Sequence, residues 1–277
     1  QSHSRNIYIF AENSINIMRK TTLYLAAAAL LTAACRSDKQ VEHYISVSGI
    51  INGAPNSYIK IIDMTQPGFK PDSLQADDSG QFAFSLKSDE PKDFVVYIEP
   101  EHNIRLLPCP DEQLTFSADF PNLAASLNVS GSPETERLTS LLRRHDHSNY
   151  IIDTLNRYYM AHQLDRNVSA VVEHVRNLSD SVLLADRQMH ELFIREQPGS
   201  LASYVALSSK LGMRTNLFSI ESDFDLFKMV DTALMNRYDT IAITSMLDYY
   251  VMRAQTAASA RAASTEIAVG DTLPDIA

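Results

Sequence analysis

The chain divides into two halves that differ in their hydrophobic period. Between Tyr44 and Gly131, apolar and polar residues alternate and turn-forming residues recur at short intervals. Such alternation is typical of strands with one buried face. After Gly131, apolar residues recur every three or four positions, which is the period of an amphipathic helix. The pattern predicts a β domain over residues 43–131 and an α-helical region over residues 132–260.

Seven short strands are predicted in the first half, over residues 44–51, 57–64, 81–87, 93–99, 103–107, 113–118 and 126–130. Asn52 and Gly53 tolerate the positive φ angles of a tight reversal, so the first two strands are expected to form a hairpin. Because the seven strands show almost no helical periodicity, they predict an antiparallel β-sandwich or a barrel-like sheet, of which the sandwich is preferred.

The first helix is expected to begin at Ser132, which is followed by a proline and an acidic residue. A capping residue, a proline at the first helical position and an acid in the first turn together favour a helix N-terminus. Further helices are predicted after it: a long one ending near Pro198, short ones after Ser200 and Ser222, and a last one over residues 240–257.

Residues 18–35 have the pattern of an export signal that ends in a cysteine. Positive charges at 19–20, an apolar run and small residues at 32–34 precede Cys35. The run is too short for a membrane helix, which needs roughly 20 apolar residues. The pattern resembles a bacterial lipoprotein signal, so we predict upstream residues and a signal peptide over 1–34, with Cys35 carrying the lipid. The alternative is a plain secretory signal with an incidental cysteine.

The processed chain would be strongly acidic. The whole sequence has 24 basic and 34 acidic residues, and residues 1–34 contain three of the basic residues and one of the acidic ones. The remainder therefore has 21 basic and 33 acidic residues, a net charge of −12. No block of Lys or Arg offers the positive surface that a nucleic acid requires, so nucleic acid is excluded as a partner.

Cysteine and histidine spacing argues against redox or metal chemistry. With Cys35 lipidated, Cys109 is left alone, and a dithiol mechanism needs two thiols. Cys109 is expected to be a buried small residue. His145 and His147 could offer two imidazoles, but residues two apart on a helix point to different sides. We therefore expect no catalytic residue, no metal site and no cofactor.

The segment over residues 268–277 contains a Val-Gly-x-x-x-Pro-Asp stretch. This stretch resembles the entry segment of thioredoxin-like domains of the TlpA/ResA and peroxiredoxin type. The order of a β domain, helices and this segment resembles Bacteroidetes-type thiol-disulfide oxidoreductase lipoproteins. The resemblance covers Tyr44 to the C-terminus and is carried by residues 47–49, 71–73, 78–82, 129–132 and 193–203.

The resemblance implies that residues 261–277 are a linker and the start of a thioredoxin-like domain that this sequence does not contain. The family's catalytic cysteines have no counterpart here, so the chain alone is expected not to be an enzyme. It would position the redox module, bind its substrate proteins or self-associate. The signal for surface display in these bacteria resembles an acid-rich tract shortly after the lipidated cysteine, and residues 36–40 hold one acidic residue only. A periplasm-facing lipid anchor in the outer or inner membrane is therefore expected. The alternative is a stand-alone envelope lipoprotein that binds a glycan or peptide.

A recurring Asp-Ser/Thr-apolar tripeptide resembles the acceptor of Bacteroidetes periplasmic O-glycosylation. Among its copies, Ser73 and Thr272 are the candidate modification sites. The alternative is structural, because Asp, Ser and Thr are common at turns and helix starts, where their side chains bond to the backbone.

Overall fold

The computed structural model describes residues 42–66, 68, 71–212, 215–239 and 241–266. Within these residues a strand-rich part precedes a helical part, so the predicted β + α order is confirmed. The described residues from His43 onward belong to one compact unit.

The strand-rich part contains two four-stranded sheets. Its strands are β1 Tyr44–Asn52, β2 Tyr58–Asp63, β3 Pro71–Gln75, β4 Gln81–Lys87, β5 Phe94–Tyr97, β6 Asn103–Leu106, β7 Gln113–Asp119 and β8 Asn128–Ser130, and a short helix, α1 Leu123–Ser126, precedes β8. The first sheet has the order β4-β1-β7-β8 and the second has the order β3-β2-β5-β6. All seven predicted strands are present, and β3 is an additional one.

Two details of strand pairing differ from the sequence-based expectation. β1 pairs with β7 in parallel, so the prediction of purely antiparallel sheets is wrong for this pair. The intervening strands β2 to β6 provide the long crossover that parallel neighbours need. The predicted β1–β2 hairpin is also wrong, because β4 and β7 occupy the two edges of β1. The turn at Gly53, with φ +80°, instead carries the chain from the first sheet into the second.

The alternating apolar residues of both sheets meet in a single hydrophobic core. Ile45 and Val47 of β1, Ile59 of β2 and Leu114 of β7 are each at most 1 % exposed, and all four belong to this cluster. Because a strand points successive side chains to opposite faces, the period of two in the sequence is sufficient to place these residues inside.

The helical part contains five helices and a two-stranded ribbon, namely α2 Pro133–His162, α3 Val168–Glu196, α4 Leu201–Leu207, β9 Lys210–Leu211, β10 Thr215–Asn216, α5 Phe224–Tyr238 and α6 Ala242–Glu266. α2 begins at the predicted proline, and α6 continues past its predicted end at 257. Among the described residues, no helix is both long and apolar enough to cross a bilayer.

A second hydrophobic core lies among these helices, and one residue from the strand-rich part contributes to it. Leu107, directly after β6, is fully buried among the helical apolar residues. Its amide donates to Thr135 Oγ1 at 2.9 Å, and its carbonyl accepts from Ser132 Oγ at 3.3 Å. The start of α2 is therefore fixed to the end of β6 by both packing and hydrogen bonds.

Candidate functional site

Of the three predicted modification residues, Ser73 lies within the described part of the chain, whereas Cys35 and Thr272 lie outside it. Ser73 is exposed in β3, which is an edge strand of the second sheet. An enzyme could therefore reach its hydroxyl, which is a necessary condition for glycosylation.

Cys109 is half-buried close to the start of α2. Its amide donates to Glu112 Oε2 at 2.9 Å. Burial, together with the negative charges of Glu112 and Glu134, raises the pKa of the Cys109 thiol to about 12. At neutral pH the side chain is consequently a protonated thiol, and the thiolate is the form that acts as a nucleophile.

Glu134 is a buried carboxylate whose role is structural. It is 1 % exposed, and one of its oxygens accepts from the Leu201 amide at 2.9 Å and from the Ser200 hydroxyl. Arg237 reaches the other oxygen at 2.8 Å. These bonds satisfy donors at the start of α4 and join α2, α4 and α5. Arg137, one turn further along α2, also donates to Glu134 Oε1 at 3.0 Å.

A pocket of about 270 Å³ lies between β6, α1, α2 and α4, and we name it the junction pocket. Its volume is near the lower limit for small-molecule sites. Its polar lining combines donors and acceptors from both parts of the chain, namely Asn103, Arg105, Thr139, His145, Asp146, Ser208 and Ser209. A small polar ligand would find both charge and hydrogen-bond partners there.

Arg105 and Asp146 give the junction pocket charges of both signs. Arg105 Nε donates to Asp93 Oδ1 at 2.7 Å, and its Nη2 donates to Oδ2. Burial lowers the pKa of the Arg105 guanidinium, but the bonds and charge of Asp93 outweigh burial and raise it, so the cation is retained. Burial also raises the pKa of Asp146.

Behind the pocket, His145 meets two residues of α3, Asp186 and His190, and we name these three residues the His–Asp–His cluster. All three are buried, with exposures of 6 %, 2 % and 0 %. His145 Nδ1 lies 2.8 Å from Asp186 Oδ2, and its Nε2 lies 3.1 Å from the Lys210 carbonyl. His190 Nδ1 lies 2.9 Å from the Asp186 carbonyl.

The electrostatics of the two imidazoles differ because their partners differ. Burial lowers the pKa of His145, but the adjacent Asp186 carboxylate outweighs burial and raises it. Burial lowers the pKa of His190, and its bond to a main-chain carbonyl does not offset this. His190 is therefore neutral, with its proton on Nδ1.

Two atoms of the His–Asp–His cluster, Asp186 Oδ1 and His190 Nε2, have no hydrogen-bond partner among the residues that the structure describes. A buried polar atom without a partner costs about 1–3 kcal/mol, so such atoms require an explanation. One ligand atom from each residue of the cluster lies within 4.8 Å of the other two. The arrangement could hold a metal ion.

Sequence reasoning found one member of this cluster and missed two. As expected, His145 and His147 face different sides of α2, with His147 exposed. The expectation of no metal site rested on this pair and on the lack of a Cys-His or His-Glu-x-x-His spacing in the sequence. The missed signal is the four-residue spacing between Asp186 and His190, which places both on one face of α3.

The chain was also compared with known proteins. Neither the protein-family models, nor the curated proteins, nor the solved structures gave a match to this chain.

Proposed function

We propose that this chain is the exported, lipid-anchored and non-catalytic N-terminal region of a thioredoxin-like thiol-disulfide oxidoreductase lipoprotein of the cell envelope. It positions the redox module away from the membrane or binds the substrate proteins of that module. The observation that carries this proposal is the state of Cys109, the cysteine of the described residues. Its thiol is half-buried and protonated, whereas disulfide reduction needs a thiolate attacker and a second, resolving thiol.

The dimensions of the helical part suit a spacer. At 1.5 Å per residue, the 30 residues of α2 and the 29 residues of α3 each extend roughly 45 Å. The bonds of Leu107 to Ser132 and Thr135 fix the start of this hairpin to the strands. A redox module attached after α6 would therefore follow a helical part that is itself fixed to the strands by packing and hydrogen bonds.

The anchor is tested by membrane fractionation of cells that express the chain. The wild-type protein should require detergent for extraction and should incorporate labelled fatty acid. Cys35→Ser should appear in the soluble fraction or retain its signal peptide. An unlabelled wild type, with fractionation unchanged by the substitution, would contradict the anchor.

The non-catalytic role is tested by insulin reduction and by sequencing. Purified residues 35–277 carrying Cys35→Ser should give no catalytic turnover with dithiothreitol as reductant. The reading frame beyond the Ala277 codon should encode a Cys-x-x-Cys segment within some tens of codons. Turnover that disappears in Cys109→Ala would instead make Cys109 a catalytic residue and refute the proposal.

A second candidate function is a stand-alone envelope lipoprotein that binds a glycan or peptide. The junction pocket favours it, because Arg105, His145 and Asp146 bring charged groups to one small cavity. Ala124→Phe should fill the pocket from α1 and abolish ligand-induced stabilisation in a screen of anionic sugars and short peptides. A stop codon directly after Ala277 would favour this function over the first one.

We also propose that the two sheets form a sandwich. Phe84 of β4 and Phe94 of β5 belong to different sheets, and their ring centroids lie 5.7 Å apart, which supports face-to-face packing.

We propose in addition that Ser73 and Thr272 carry O-linked glycans. Mass spectrometry of the protein from its own cells should detect a glycan that Ser73→Ala removes. An unmodified Ser73 peptide would contradict that site.

A further inference from the structure

The two imidazoles of the His–Asp–His cluster are each oriented by a main-chain carbonyl. His145 Nε2 faces the Lys210 carbonyl, and His190 Nδ1 faces the Asp186 carbonyl. A carbonyl only accepts, so each of these nitrogens carries a proton. This leaves Nε2 of His190 as an atom that can offer a lone pair, and Nδ1 of His145 as a second one once the proton that it shares with Asp186 is lost. Metal-binding histidines are held in this way, with the second ring nitrogen donating to a carbonyl or carboxylate.

The third member supplies a negative charge at the same place. Asp186 Oδ2 lies 2.8 Å from His145 Nδ1, and Asp186 Oδ1 has no partner. His190 Nε2 is likewise without a partner and is fully buried. The unpaired atoms thus belong to the residues whose possible ligand atoms lie within 4.8 Å of one another. A cation would satisfy an oxygen and a nitrogen that the protein alone leaves unpaired.

We propose that His145, Asp186 and His190 bind one divalent transition-metal ion, with Zn²⁺ as the best match. Two imidazoles and one carboxylate suit zinc, whereas Ca²⁺ and Mg²⁺ prefer oxygen ligands. Zinc–ligand distances of about 2.0–2.1 Å imply ligand separations of roughly 3.4 Å in a tetrahedron. Reaching this geometry requires the His145 Nδ1–Asp186 Oδ2 pair to open from 2.8 Å, and His190 to bring Nε2 to a carboxylate whose Oδ2 lies 3.8 Å from its Nδ1.

Binding is balanced by the release of a proton. The proton that His145 Nδ1 donates to Asp186 leaves for solvent, and the Nδ1 lone pair and the Asp186 carboxylate then bind the metal. Three protein ligands leave the fourth position for a water molecule. The metal would join α2 to α3, and the His145–Lys210 bond would extend this link to β9.

The other cluster of possible metal ligands is not buried in the same way. It consists of Glu99, Glu101 and His102, and both of its glutamates are exposed. Solvated acidic groups are common without a metal, so we propose no metal site at this second cluster.

The test measures zinc binding by residues 35–277 carrying Cys35→Ser and no affinity tag. The protein is unfolded with a chelator and refolded with Zn²⁺, so that access does not depend on opening of the buried cluster. After dialysis, elemental analysis should find about one Zn²⁺ per chain, and Zn²⁺ but not Mg²⁺ should raise the Tm. Less than about 0.1 equivalent together with an unchanged Tm would overturn the proposal.

Variants then assign the site. Asp186→Asn and His190→Gln keep the approximate shape of the side chains, and each should weaken Zn²⁺ binding at least about 100-fold because one of three ligands is lost. The matched control is His147→Gln, which alters an exposed histidine on the same helix and should bind like the wild type. Equal binding by all three variants would overturn the assignment.

If the variants do not fold, a spectroscopic measurement on the wild type tests whether the protein binds the metal. Co²⁺ in a four- or five-coordinate site gives visible absorption bands much stronger than those of the hydrated ion. One equivalent of Co²⁺ should produce these bands, and Zn²⁺ should abolish them by displacement. A spectrum identical to that of hydrated Co²⁺ would overturn the proposal.

Discussion

At the residue scale, Cys109 shows how its surroundings suppress the chemistry of a thiol. Burial and two nearby carboxylates move its pKa from an ordinary 9.0 to about 12, so at pH 8 the thiolate fraction is lower by roughly a thousandfold. The sequence alone predicted an unreactive side chain from the lack of a partner cysteine. The structure adds the electrostatic reason.

The raised pKa predicts that Cys109 undergoes slow thiol–disulfide exchange. In residues 35–277 carrying Cys35→Ser, Cys109 is the remaining thiol, and Ellman's reagent at pH 8 should modify it at least about 100-fold more slowly in the folded state than in urea. The urea-unfolded protein is the internal control. Similar rates in both states would show that the thiol is accessible and ionised, contrary to its burial.

Gly80 is a second residue whose identity follows from its surroundings. It has φ +78°, and a Cβ atom built on it would lie 2.3 Å from the Ile51 carbonyl oxygen. The left-handed backbone costs about 1–2 kcal/mol for a residue with a side chain, and the main-chain contact adds to this cost. Gly80→Ala should therefore lower the free energy of unfolding by more than about 2 kcal/mol in urea titrations.

The matched control for this substitution is Gly68→Ala. Gly68 also has a positive φ, +91°, but apart from its chain neighbours no described residue has an atom within 4 Å of its Cβ position. Gly68→Ala should therefore lower the free energy of unfolding only by the backbone cost of about 1–2 kcal/mol. If the two substitutions lowered the free energy of unfolding equally, the contact with Ile51 would not contribute to the destabilisation caused by Gly80→Ala.

At the element scale, an ion pair fixes the start of α5 to α3. Asp223 accepts from Arg187, from the Ser219 amide at 2.9 Å and from the Ser222 hydroxyl at 2.8 Å. Burial raises the pKa of Asp223, but these bonds outweigh burial, and the net shift is below the ordinary value of 3.8. The charged carboxylate thus stabilises the folded state.

The lowered pKa gives a pH-dependent stability with a definite sign. The contribution of Asp223 is fully present above pH 3.8 and is lost as the pH falls through the lower folded-state value. Asp223→Asn should cost about 1–3 kcal/mol at pH 7, and the difference from wild type should shrink below pH 4. Asp225→Asn, an exposed change in the same helical turn, is the control. A constant difference down to pH 2 would contradict the assigned ionic contribution.

The strand β3 shows what sequence patterns miss at this scale. Its residues Pro71, Asp72 and Ser73 have the composition of a turn, and Leu74 is its half-buried apolar residue. It is a strand because it pairs with β2 at a sheet edge, where a proline at the first position removes no needed donor. The other strands were predictable because burial of one face imposes alternation.

Pairing across long sequence separations explains the remaining differences. The parallel contact of β1 with β7 and the meeting of His145 with Asp186, 41 positions away, depend on tertiary packing. A motif search over short spacings compares His145 only with Asp146 and His147. Local rules therefore predicted most of the elements, whereas β3, the end of α6 and the cluster that could bind a metal emerged only from the fold.

At the scale of the whole molecule, the main question is whether the strand-rich and helical parts unfold together. They have separate hydrophobic cores. Leu107 nevertheless belongs by sequence to the first part and by packing to the second. The Ala242 amide also lies 3.3 Å from Glu90 Oε2, which links α6 to the loop before β5. Contacts of this kind favour one cooperative unit.

Cooperativity predicts that damage to either core destabilises both parts. Leu107→Ala, in the helical core, and Leu114→Ala, in the strand core, both remove side chains that are at most 1 % exposed, and each should cost about 2–5 kcal/mol. Native-state hydrogen exchange should then show equal losses in the free energy of opening for β1 and for α5, whichever leucine is changed. Two independent domains would behave differently, because Leu107→Ala would weaken protection in α5 and leave β1 unchanged, and Leu114→Ala would do the reverse. That result would mean that the Leu107 contacts hold two separately stable bodies together without coupling their unfolding.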